Sequence, residues 1–242
     1  MSDLELISNF DENLTSYDPE LTEILDRFIK TQVLKECLLD DESCMLVILS
    51  CLVANQSVNL YERTLDVAIN LGLSPVSIKE ALYQAIPYIG LAKTYDFLEI
   101  TNKVFIEKGI ELPLPCQATT NSDNRLETGY NIQINNFTKE FIDANIDSTP
   151  TGQKHIWDFI SSFAFGDFYS RNGLTEGVRE LVSFTYILCL RGCENQLRIH
   201  TKGNIAVGNT KEDLISVITL LVPYIGFPRV HNALAIVNEI CD

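Results

Sequence analysis

Basic residues are scarce in this chain: 18 lysines and arginines stand against 33 acids, a formal charge of −15 over 242 residues. A surface this negative repels phosphate backbones, and no dense basic run offsets it, so a nucleic-acid partner is not expected. Long apolar runs are also missing. The longest, Met45–Ala54 and Leu181–Leu190, reach about ten residues, against roughly 20 for a membrane span. The first twenty residues, MSDLELISNFDENLTSYDPE, are acidic and lack the apolar stretch of a secretory signal. A soluble, cytoplasmic chain with no membrane partner is expected. Strand signals are sparse, with no Asn-Gly or Asp-Gly turn flanked by alternating apolar residues. There is no Cys-x-x-Cys, no His-Glu-x-x-His and no carboxylate cluster to hold a metal. Phosphate-cradling glycine motifs are absent as well. The seven cysteines are an odd number and sit mostly in apolar runs, and six of them read as reduced, buried small hydrophobes.

What is present is enough apolar sequence, 46% of residues, for one large or two small cores. It is organised as a repeat. A shift of 136 residues lays Ala85–Gly90 (AIPYIG) on Leu221–Gly226 (LVPYIG), and the register runs without a gap from Cys44–Val104 to Glu180–Ile240. A period this long marks a duplicated domain rather than a solenoid. Each copy reads as helical. Leu46–Val53 and Leu181–Leu190 are apolar almost all round, as a fully buried helix should be. Leu60–Asn70 and Gln196–Val207 follow, closed by Gly72 and Gly208 at positions suited to positive φ. Ser74-Pro75 and Thr210–Asp213 then read as a capped start and a capping box. Pro87 and Pro223 are expected to break or kink those helices before Ala92–Phe105 and His231–Ile240. The fold class is all-α. The expected divisions are an acidic arm (1–20), a first repeat (21–106), a linker (107–151) holding one helix near Phe137–Ala144, and a second repeat (152–242).

Chemistry concentrates in the second repeat. Cys193 and His200 lie seven residues apart, two helical turns and nearly one face, and Glu180 opens the preceding helix. Gly192 interrupts the helical pattern, so Cys193 falls near a fresh helix N-terminus, which favours thiolate. Each residue also has a plain structural reading: a packed thiol, a satisfied core histidine, an acid at a helix start. Arg171 and Arg179 read either as surface ion pairs or as donors to developing negative charge. The aligned positions of the first copy are Cys44, Ser57, Leu60 and Thr64, with no acid–imidazole pair, so that half is expected to be scaffold.

The segments GDFYSRNGL (166–174), VREL (178–181), CENQLRIH (193–200), GNIAVGNT (203–210) and PYIGFPRVHNAL (223–234) resemble the carboxymuconolactone decarboxylase family in a two-domain form. DPELTEILDRF (18–28) and IKEALYQAIPYIGLAK (78–93) are weaker matches. The resemblance implies an oligomeric helical fold, for a duplicated chain a trimer. In its decarboxylase branch it implies a cofactor-free enzyme on a small anionic lactone or related acid. His200 would then be the acid/base and Glu180 its orienting partner. Arg171 and Arg179 would steady charge, Tyr169 and Gln196 would line the pocket, and Cys193 would lie at its floor. A related branch, alkyl hydroperoxide reductase D, uses a Cys-x-x-Cys pair with a glutamate and a histidine. Glu180, Cys193 and His200 match it, but Gln196 replaces the second cysteine. A thiol peroxidase using Cys193, or a non-catalytic oligomer, are therefore the alternatives.

Overall fold

The computed structural model describes residues 12–242. The first eleven residues of the expected arm lie outside the described residues, and the rest of the arm is helical. Helix α1 covers Glu12–Tyr17, and α2 covers Pro19–Phe28 with proline in its first turn, where a missing N–H is tolerated. A π-helical turn, Ile29–Val33, and a short stretch, Leu34–Glu36, extend α2. Four helices then form the first bundle: α3 (Asp41–Ala54), α4 (Val58–Asn70), α5 (Pro75–Ile89) and α6 (Leu91–Glu107). After an irregular stretch come α7 (Arg125–Phe137), α8 (Lys139–Ser148) and α9 (His155–Phe159), the last continuing as a π-helix, Ile160–Tyr169. The second bundle is α10 (Glu176–Cys189), α11 (Glu194–Ala206), α12 (Lys211–Ile225) and α13 (Phe227–Cys241). All regular structure among the described residues is helical, as the scarcity of strand signals requires.

The caps account for these boundaries. Ser74 Oγ accepts from the N–H groups of Val76 and Ser77, and Thr210 with Asp213 makes the reciprocal capping box. Gly72 (φ +85°) and Gly208 (φ +96°) close α4 and α11 in the left-handed region. Neither proline breaks its helix. Helices α5 and α12 run through Pro87 and Pro223 and end two residues later, at Ile89 and Ile225, just before Gly90 and Gly226. Glycine with positive φ ends each of them. Helices α4, α5 and α6 start at 58, 75 and 91, and α11, α12 and α13 start at 194, 211 and 227, each 136 residues later.

The core lies where the bundles meet. Every residue of α3 from Ser43 to Ala54 is buried, and so is every residue of α10 from Arg179 to Cys189. These two helices pack on each other; α5 packs on α10 and α12 packs on α3. The exchange is reciprocal, so each half contributes to the surroundings of the other.

The segment read as a linker holds more structure than one helix. Helix α7 packs along the π-helical Ile160–Tyr169 and also touches α11. Gly129 and Gly166 make that approach possible. A Cβ on Gly129 would meet Ser161 O at 1.8 Å, and one on Gly166 would meet Arg125 O at 2.2 Å. Backbone cannot yield as a flexible side chain can. Gly129→Ala and Gly166→Ala are therefore expected to lower unfolding free energy by about 1–3 kcal/mol each. Gly152→Ala, in open space, is expected to stay near wild type in the same urea titration.

Candidate functional site

Helix α10 begins at Thr175, whose side chain accepts from Val178 N–H. Its first turns point two charged residues inward, Arg179 (1% exposed) and Glu180 (0%). Ions so deep in an apolar helix need partners. Glu180 finds His200 on α11, with Nδ1 at 2.9 Å from Oε2. Among the described residues, no hydrogen-bond partner is present for Glu180 Oε1. Asn204, one turn beyond His200, donates to the carbonyls of His200 (2.7 Å) and Glu180 (3.3 Å) and ties the two helices together. Gly203 leaves room for the pair, since a Cβ there would stand 3.2 Å from Glu180 Oε2 and 2.6 Å from Phe137 Cε1.

Two rings close over the imidazole edge-on. Tyr88 of α5 lies 5.3 Å from the His200 ring centroid, and Phe137 of α7 lies 5.5 Å away. Tyr169, expected to line the pocket, is buried beside Glu180 and accepts from Asn136 Nδ2 at 3.0 Å. Burial, then the Glu180 charge, push both the Tyr169 and the Tyr88 phenols above their ordinary range. Both phenols are protonated at neutral pH, as an ordinary tyrosine also is. Sequence reasoning missed Tyr88, Phe137, Gly203 and Asn204. The signal for Asn204 and Gly203 is present in the GNIAVGNT segment, whereas Tyr88 and Phe137 arrive from other parts of the chain.

The other candidates are placed differently. Arg179 does not face a ligand: it donates to Gln84 Oε1 (3.1 Å) and to the carbonyls of Phe168, Arg171 and Asn172 (3.2, 2.8 and 3.3 Å), with Glu80 Oε2 at 3.6 Å. It clamps the end of the π-helix onto α10. Arg171 makes a two-pronged bond to Glu80, Nε to Oε2 at 2.9 Å and Nη2 to Oε1 at 2.9 Å, and lines a separate cavity beside α5. Gln196 is exposed on α11.

Cys193 occupies the position before α11, as the Gly192 break implies, but its side chain makes no cap bond. It lines a cavity of about 410 Å³ with Leu188, Leu197, Arg229 and Ile236, to which neither Glu180 nor His200 contributes. Among the remaining cysteines, Cys44, Cys51 and Cys189 are buried as expected, whereas Cys116 is exposed. In the first half, Thr64 bonds to Leu60 O of its own helix and Cys44 Sγ lies 3.4 Å from Cys37 Sγ, so no acid–imidazole pair forms there.

The buried carboxylate–imidazole pair lies inside the segment with the strongest likeness to known proteins. Residues 157–239 match the sequence profile of the Carboxymuconolactone decarboxylase family. The chain is similar to that family over these residues. Over 120 residues, 50% of this chain and 89% of the relative, it is 28% identical to the 4-carboxymuconolactone decarboxylase of Acinetobacter baylyi (strain ATCC 33305 / BD413 / ADP1). Among the described residues, no helix is long and apolar enough to cross a membrane.

The clamp role of Arg179 is open to a direct test. Arg179→Met strands the groups it satisfies and is expected to cost about 3–5 kcal/mol in chemical denaturation, the range for breaking a buried pair. Wild-type stability in that variant would contradict the structural role and return Arg179 to the ligand-binding candidates.

Proposed function

We propose that this chain is a decarboxylase acting on a small anionic lactone or related carboxylic acid, with Glu180 and His200 as its proton-handling pair. One observation carries the reading: His200 Nδ1 lies 2.9 Å from Oε2 of the fully buried Glu180; with the Nδ1 proton held on that carboxylate, Nε2 is left to exchange protons with a bound molecule. When the substrate carboxylate leaves as CO₂, its bonding electrons stay on the adjacent carbon as an enolate. His200 delivers the proton that carbon requires and is reprotonated from water. Glu180 keeps the ring in the required tautomer and stabilises the imidazolium between turnovers. The protonated phenols of Tyr88 and Tyr169 supply hydrogen-bond donors beside the pair, where negative charge develops. The activity of the Acinetobacter relative, as its name gives it, agrees with this chemistry.

Phe137, which packs on His200, also lines a cavity of about 410 Å³ with Asn136, Phe141, Arg198 and Lys202. We assign substrate entry to this side, where Lys202 stands beside the Arg198–Glu239 ion pair. The thiol-peroxidase alternative draws no support from the geometry, because Cys193 lines a cavity to which the pair does not contribute. The constant 136-residue offset of helix starts supports a duplication in which the first half serves as scaffold and provides Tyr88 as a wall. Association with further copies of the chain has support in an exposed apolar stripe on α9 and its extension, Ile156 (48%), Phe159 (59%) and Phe163 (42%).

Incubation with 4-carboxymuconolactone and a panel of related acids is expected to release CO₂. His200→Ala and Glu180→Gln should lower kcat by about 10²–10⁴-fold. A wild-type protein that leaves the whole panel untouched, or a His200→Ala variant at full rate, would reject the reading. Phe159→Glu is expected to shift the mass in light scattering towards the single chain; an unchanged mass would remove the α9 stripe from the assembly.

A further inference from the structure

A second cavity, of about 490 Å³, lies between α5, α6, the stretch after α6 and the loop bearing Arg171. This volume falls in the range of small-molecule sites. Its charge balance is unusual. Glu80, 1% exposed, shares its carboxylate between Arg171 and Arg179, so its charge is already met. The next residue, Lys79, is 6% exposed, and among the described residues no carboxylate pairs with it. Its Nζ donates to Asn102 Oδ1 at 2.5 Å and stands 5.8 Å from the Tyr83 ring centroid. Burial alone holds this ammonium below the ordinary lysine pKa. An ammonium taken out of water without an anion is costly to keep, and this one lines the cavity wall.

The rest of the lining has a definite character. Asn102 Oδ1 is occupied by Lys79, which leaves its amide N–H groups to donate. Tyr83 presents a ring already faced by the Arg171 guanidinium at 5.3 Å. Ile106 and Leu114 add apolar wall, and the exposed Cys116 stands at the same cavity. We propose that this cavity binds a small carboxylate with a flat apolar body. The carboxylate sits on the Lys79 ammonium and the Asn102 amide, and the body lies against Tyr83, Ile106 and Leu114. The ligand supplies the missing negative charge, and bound there it is apart from Glu180 and His200, which do not line this cavity. The site therefore stands independently of the decarboxylase reading.

Benzoate is a suitable probe, with benzyl alcohol as its uncharged counterpart and inorganic phosphate as an anion without a flat body. In calorimetric titration of the full chain, benzoate is expected to bind, and neither control should reproduce it. Lys79→Met keeps the length of the side chain while removing the buried charge, and it should weaken benzoate by about tenfold or more, the worth of a charge-assisted hydrogen bond. His200→Ala should leave benzoate binding unchanged, which separates this site from the proposed catalytic one. In the wild-type chain, benzoate should also slow alkylation of Cys116 by iodoacetamide, read by peptide mass spectrometry without any variant. No benzoate binding, equal affinity in Lys79→Met, loss in His200→Ala, or unaltered Cys116 alkylation would each overturn the proposal. Binding of phosphate with equal affinity would overturn the apolar half of it.

Discussion

Glu180 carries a carboxylate into the interior on a buried, mostly apolar helix, and the architecture around it answers the resulting electrostatic demand. His200 supplies the nitrogen, Asn204 fixes the carbonyls of both residues, and Gly203 keeps the space that a methyl group would take. Tyr88 and Tyr169 add ring surface and phenols whose pKa burial and the nearby carboxylate push upward. Removing the acid would leave these groups arranged around nothing. Keeping it sets the orientation of the imidazole, which is the property a proton-transfer site needs before it needs a substrate.

The pair is not built by one half of the chain. Helices α10 and α11 carry it, α5 of the first half covers one side with Tyr88, and α7 covers another with Phe137. Gly129 and Gly166 bring α7 close enough to the π-helix for Phe137 to reach the imidazole. Arg179 meanwhile binds the end of that π-helix to α10, and with Arg171 it meets the Glu80 charge from the first half. A first half without an acid–imidazole pair of its own is thus coupled energetically to the second. This gives a physical reason for the two to persist in one chain.

The helical class and the caps at Ser74 and Thr210 were legible in the sequence because they rest on local spacing and turn chemistry, whereas the Glu180–His200 pair, formed between two helices, was legible only through the family resemblance. The prolines were legible only in part: neither Pro87 nor Pro223 breaks its helix, and Gly90 and Gly226 end α5 and α12 instead. Helix α7 was hidden because Arg125–Phe137 is rich in asparagine and holds a glycine, a composition typical of loops. That glycine is there for close packing. The neighbours of Cys193 were illegible for another reason. Helical spacing places it two turns from His200, but it precedes the first turn of α11, where the chain direction is set by the Gly192 break instead of by helix geometry. The partners of Arg171 and Arg179 depend on contacts some ninety residues away, and no local pattern encodes them.

The claim on which the account turns is that the Glu180 carboxylate dictates which ring nitrogen of His200 holds the proton. Nitrogen-15 NMR of the imidazole reads that directly. The account predicts a protonated Nδ1 hydrogen-bonded to the carboxylate in the neutral ring, with Nε2 unprotonated. A neutral ring protonated at Nε2, with a bare Nδ1 facing the acid, would contradict it.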